Sequence, residues 1–107
     1  MNPPFTTAEF LAVFGRYNQG VWPAQVLFHV LAAAVLYLAW RPRSRSGVVI
    51  GGALAFLWAW MGIVYHALYF SRINPAAYLF AAAFLLQAAL LSHFAKSRPD
   101  ASFRPRA

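Results

Sequence analysis

Three long runs of this chain, Val21–Trp40, Gly47–Phe70 and Pro75–Ala95, contain no Asp, Glu, Lys or Arg. Each reaches the roughly 20 residues that carry a helix across about 30 Å of hydrocarbon. Hydrophobic residues make up 62% of the 107 positions and charged ones 10%, against about 45–50% and about 25% in soluble domains. So short a chain has no interior large enough to hide that much apolar surface from water. The expected fold class is therefore an all-α membrane protein, with three transmembrane helices in an antiparallel bundle preceded by a short amphipathic N-terminal helix.

The breaks between the runs support this division. "RPRSRSG" sets Arg41, Arg43 and Arg45 beside Pro42 and Gly47, which stops a helix and keeps the connection in water. "SRINP" holds Arg72 and a proline suited to the first turn of the next helix. The expected organisation is an interfacial helix over 1–20, spans over 21–40, 47–70 and 75–95, a basic loop at 41–46, a short outer loop at 71–74 and a basic tail over 96–107. Short connections make neighbouring spans antiparallel.

Three spans put the first loop and the tail on one side, with Arg41, Arg43, Arg45, Lys96, Arg98, Arg104 and Arg106. Arg16 and Arg72 remain for the other. The positive-inside rule then places the C-terminus in the cytoplasm and the N-terminus outside a bacterial inner membrane. Trp22, Tyr69 and Tyr78 fall near the outer interface and Trp40 near the inner one. Cleavage of the first run as a signal peptide is disfavoured, because "MNPPFTTAEF" lacks a basic n-region and the arginines follow the apolar stretch. The same arginines, with Lys96 and Arg98, suit anionic lipid headgroups; nucleic acid is not expected as a partner. Pro99 and Pro105 are expected to keep the tail unstructured.

"FTTAEFLAVFGRYNQG" announces a helix. Thr6 and Glu9 have capping-box spacing, and Phe5 and Phe10 occupy hydrophobic-staple positions. Phe10, Phe14 and Tyr17 recur at helical spacing, and Gly20 is expected to end the run. A helix this short either lies flat at the surface or folds over the ends of the spans.

Within the second run, Gly47, Gly51, Ala55 and Ala59 recur every four residues and Gly62 extends the region. Small side chains allow the close backbone approach by which helices associate in lipid, so this helix is expected at the centre.

The candidate polar site gathers toward the outer end: Tyr17, Asn18, Gln25, His29, Tyr65, His66 and Asn74. At about 1.5 Å per residue, Gln25 and His66 share a level, about 6 Å in, which suggests that they bond each other. His29 lies about one turn deeper. Paired helical histidines raise the possibility of a b-type haem on His29 and His66, although their levels differ where axial ligands should be nearly opposite. No Asp, Glu, Lys or Arg within a span offers a proton or ion relay. There are no cysteines, no paired carboxylates, no metal-ligand spacing and no phosphate loop, so neither a catalytic residue nor a metal site is expected.

"FTTAEFLAVFGRYNQGVWPAQ" and "LWAWMGIVYHALYFSRINPAAYLFAAAFLLQA" resemble a family of uncharacterised bacterial integral membrane proteins, a domain of unknown function. The resemblance covers roughly residues 5–91 and rests on Tyr-Asn, Trp-Pro-Ala-Gln, Tyr-His and Asn-Pro-Ala-Ala as they stand here. It implies membrane class, and a chain corresponding to the N-terminal half of longer members. It implies no activity.

The leading expectation is a small non-catalytic membrane subunit that packs against a larger complex, for instance a respiratory or photosynthetic one, or against copies of itself. An oligomeric small-molecule or ion transporter or channel is the first alternative, and a b-type electron carrier the second. No cofactor is expected on the leading reading. Its partners are membrane lipids and other membrane subunits or further copies of the chain.

Overall fold

A computed structural model describes residues 4–104, so Pro105 and Arg106 lie outside the described residues. The elements are α1 (Thr7–Val21), α2 (Ala24–Trp40), α3 (Ser46–Trp60) and α4 (Ala77–Ser97). Beyond Trp60 the third helix widens into a π-helix over Met61–Tyr69 and tightens into a 3₁₀ turn at Phe70–Arg72. Among the described residues there are no strands.

Helix α1 starts where the capping signal predicts. The Thr6 hydroxyl accepts from the Glu9 amide at 3.1 Å and the Glu9 carboxylate accepts from the Thr6 amide at 2.8 Å. These bonds satisfy two of the amides that a helix start leaves unpaired. Phe5 stacks on Phe10 with ring centroids 5.6 Å apart, completing the staple.

Gly20 does not end α1, which continues to Val21. A side chain at Gly20 would collide with the Tyr69 hydroxyl, so this glycine serves a close approach between elements instead of a stop. The break comes at Trp22–Pro23, a cis peptide bond, and α1 and α2 are bent by 86° across it. Pro23 has no amide hydrogen to continue the helical ladder.

α3 and α4 form the core hairpin. Gly47, Gly51, Ala55 and Gly62 are buried on α3 and its extension, and Ala77, Ala81, Ala88 and Ala95 on α4. A methyl at Gly51 would stand 2.8 Å from the Ala95 Cβ, and one at Gly62 would stand 3.0 Å from the Phe84 Cβ. Gly51 thus lies against Ala95 and Gly62 against Phe84 and the Ala81 carbonyl, at backbone separations that side chains would prevent. Ala59, the fourth member of the stripe, is only half-buried.

α2 is attached much more lightly and has no buried residue. It meets α3 through Phe28, whose ring lies 5.0 Å from Trp60 and 6.2 Å from Phe56. Val26, Leu27, Val30, Leu36 and Trp40 are all more than half exposed. Ser46–Arg72 and Ala77–Ser97 are each long and apolar enough to cross a membrane, and the bent α1–α2 pair would count as a third crossing only if taken as one span.

The tail departs from the expectation of an unstructured segment. The Pro99 carbonyl accepts from the Val48 amide at 3.1 Å, Ala101 N–H donates to the Arg98 carbonyl, and Phe103 packs edge-on against Phe94 at 5.9 Å. Gly47 makes this possible, since a side chain there would run into the Arg98 carbonyl. Pro99 lacks only a donor, so its carbonyl can share the Val48 amide, which also donates to the Arg45 carbonyl at 3.0 Å.

Candidate functional site

The predicted polar residues divide among separate surroundings. Tyr17 and Tyr65 meet where α1 crosses the π-helical stretch. Tyr65 is 5% exposed, stacks on Phe14 at 5.6 Å and meets Tyr17 edge-on at 5.3 Å. Val13, wholly buried, and Ala77 close the cluster, with Phe5, Phe10, Tyr69 and Ile73 around it. The helix over 7–21 thus folds onto the end of the hairpin and covers Tyr65, one of the residues expected on an open polar rim, while Asn18 and His29 stay exposed. The Tyr65 hydroxyl is buried there without a hydrogen-bond partner.

Gln25 and His66 do not bond each other, contrary to the depth argument. The Gln25 amide donates to the Asn18 carbonyl at 2.7 Å, clipping α1 to α2 across the Pro23 corner. His66 Nδ1 lies 2.9 Å from the Met61 carbonyl, one π-turn back on its own helix. A carbonyl only accepts, so this contact calls for the proton on Nδ1. The ring also packs against Phe84 of α4, with centroids 4.5 Å apart. Depth ranks residues along an axis, whereas the sides they face depend on how each helix is rotated.

His29 is exposed, and its Nδ1 lies 2.7 Å from the Gln25 carbonyl one turn earlier in α2. The two histidines considered for a haem therefore occupy different settings, one on the exposed helix and one against α4. No group of three or more His, Cys, Asp or Glu residues suited to a metal occurs among the described residues. Asn74 is buried and accepts from the Ala76 amide at 3.1 Å, forming the turn into α4. This turn delays the helix start to Ala77, two residues past Pro75.

The basic residues gather at the opposite end of the hairpin. Arg41, Arg43 and Arg45 occupy the α2–α3 connection, Lys96 and Arg98 end α4, and all five are exposed. The Val48–Pro99 bond brings the two groups together. Ser46 orders the connection by donating to the Arg43 carbonyl and accepting from the Arg43 amide. Arg45 adopts a left-handed conformation with φ of 66°, uncommon for a residue with a side chain. The Arg43 guanidinium donates to the Tyr37 hydroxyl at 3.0 Å, a bond that raises the Arg43 pKa from its ordinary value.

Sequence reasoning did not anticipate the pocket beside this cluster. Tyr37, Trp40, Arg41, Pro42, Arg43 and Arg104 enclose an open space of about 910 Å³. Arg104 reaches it only because the tail folds back. A smaller pocket of about 540 Å³ lies at the α1–α2 corner, lined by Asn18, Gln19, Trp22 and Gln25.

The described residues define an all-helical protein, with an aromatic-capped hairpin and two or three helices long and apolar enough to cross a membrane. Within that class the chain belongs to the DUF6064 family, a family of unknown function, whose model matches residues 7–104. The match includes the tail through Arg104, which the resemblance over 5–91 left out. No curated protein and no solved structure matches the chain.

Proposed function

We propose that the protein is a small non-catalytic integral membrane subunit of three spans, with its N-terminus outside and its basic end in the cytoplasm, which packs against a larger membrane complex or against further copies of itself. The observation that carries this reading is the contrast between α2 and the α3–α4 hairpin. The hairpin buries its small residues in a tight seam, while α2 buries none and exposes both large apolar side chains and the thin Ala32–Ala34 segment.

The third span draws support from connectivity. α1 sits on the Tyr65–Phe70 end of the hairpin, and the loop after α2 enters α3 at the other end. α2 must therefore run the length between them, and its 17 residues cover about 25 Å at 1.5 Å each. Seven of the nine Lys and Arg lie in the loop and tail, which favours the cytoplasm for that end.

Tyr17 and Tyr65 are occupied in holding α1, and His29 and His66 have separate partners. The geometry accordingly lends no support to a channel mouth or a haem at that end. Purification of the native protein in mild detergent tests the proposal. Recovery with other subunits or as an oligomer is expected, and recovery solely as a monomer overturns it.

A further inference from the structure

The pocket at the basic end has the composition of a phosphate site. Arg41, Arg43 and Arg104 surround it, with the Tyr37 phenol and the Trp40 indole completing the wall. The chain has two acidic side chains for its nine Lys and Arg: Glu9 caps α1 at the far end of the hairpin, and Asp100, exposed in the tail, is not part of the pocket wall. Arg43 is held in place by its bond to Tyr37, so one donor-rich fork is positioned before any ligand arrives. Guanidinium groups match phosphate oxygens with two parallel N–H donors, which ammonium groups cannot do.

The surroundings distinguish this pocket from a site for a freely dissolved phosphate. It opens at the end of α2, where Val30, Ala33, Leu36 and Trp40 are exposed at three- and four-residue spacing leading up to the arginines. A phosphate joined to glycerol and acyl chains would have its charge in the pocket and its chains along that face. Three full positive charges outweigh the roughly half negative charge that the C-terminus of α2 presents.

We infer that this pocket binds the phosphate of an anionic lipid headgroup, with Arg41, Arg43 and Arg104 as ligands and the exposed face of α2 as the acyl-chain track. The inference rests on the membrane reading above and makes it specific. Arg104 separates it from a general attraction of basic loops to acidic lipid, because the folded-back tail brings this residue into one cavity with residues of the loop.

The test uses the full chain reconstituted in phosphatidylcholine vesicles containing a minority of phosphatidylglycerol, with bromine placed on the acyl chains of one lipid and then of the other. Tryptophan quenching should be stronger, at equal mole fraction, when phosphatidylglycerol carries the bromine, and Trp40→Phe should remove that excess. Each single substitution among Arg41→Gln, Arg43→Gln and Arg104→Gln should lower the preference roughly fivefold, the scale of one arginine contact near a membrane surface. Arg45→Gln, Lys96→Gln and Arg98→Gln together remove three charges as well and should leave most of the preference in place.

Equal loss in that variant and in one combining Arg41→Gln, Arg43→Gln and Arg104→Gln reduces the effect to net charge and overturns the site. So does equal quenching by the two lipids. Abolition of the preference by inorganic phosphate at constant ionic strength assigns the pocket to phosphate in general and overturns the lipid assignment. Failure of every brominated lipid to quench overturns the membrane reading itself, a result distinct from insertion without preference.

Discussion

The Trp60 indole donates a 2.6 Å hydrogen bond to the Tyr17 hydroxyl, joining the end of regular α3 to a helix 43 residues earlier in the chain. Tyr17 also approaches the Met61 sulfur at 4.0 Å and meets Tyr69 edge-on. One phenol thus fastens α1 at the residue where α3 gives way to the π-helix.

Tyr17→Phe keeps the ring packing and removes the acceptor. The unpaired indole N–H should cost roughly 0.6–2 kcal/mol, the range for single hydrogen bonds between helices in membranes. Thermal unfolding in detergent should show a lower midpoint, and the Trp60→Phe background should reduce the effect of the second substitution. An unchanged midpoint in the single variant would remove the fastening role.

Gly51 and Gly52 are neighbours in sequence with opposite surroundings. A side chain at Gly51 meets Ala95, whereas Gly52 faces open space. Gly51→Leu should destabilise the chain by about 1–3 kcal/mol through overpacking of the seam. Gly52→Leu should stay within about 0.5 kcal/mol of the native chain, as surface substitutions usually do. Unfolding midpoints of the two variants check the rotation of α3 about its axis.

Gly47→Ala places a methyl against the Arg98 carbonyl and should lift the tail off the start of α3. The Val48 amide then loses its bond to Pro99 while keeping the one to Arg45. Trypsin should cut after Lys96 several-fold faster than in the native chain. A cleavage rate that does not change argues that the fold-back contributes nothing to order.

The chain contains no cysteine, so single introduced thiols report topology without background. With three spans, Thr7→Cys should react with an impermeant maleimide from outside and Ser102→Cys only after the membrane is opened. If α1 and α2 together fail to cross, the two positions lie on the same side and label alike.

Much of the local architecture was legible because local rules govern it. The Thr6–Glu9 box and the Phe5–Phe10 staple lie within one helical turn, and the structure forms both. The Gly-x-x-x-Gly spacing marked the face of α3 that packs. The polar residues were less readable. Gln25 and His66 share an expected depth, yet Gln25 bonds a carbonyl of α1 and His66 one of its own helix. The π-helical stretch left no signal in the spacing of the sequence; within it Gly62 lies close against Phe84 and Ala81 of α4.

Composition and spacing alone make this an all-helical chain, with apolar runs too long to be hidden in a small core and with charges confined to their ends. Those properties follow from transfer energies and from hydrogen bonds within a few residues, so no neighbour is needed to predict them. Tertiary contacts settle the rest: that α1 covers Tyr65, that Gln25 clips a corner, and that Arg104 joins Arg41 and Arg43. Each depends on the rotation of one helix against another and on a few ångströms of backbone approach at Gly20, Gly47 and Gly51, where the absence of a side chain matters only once the opposing atoms are in place.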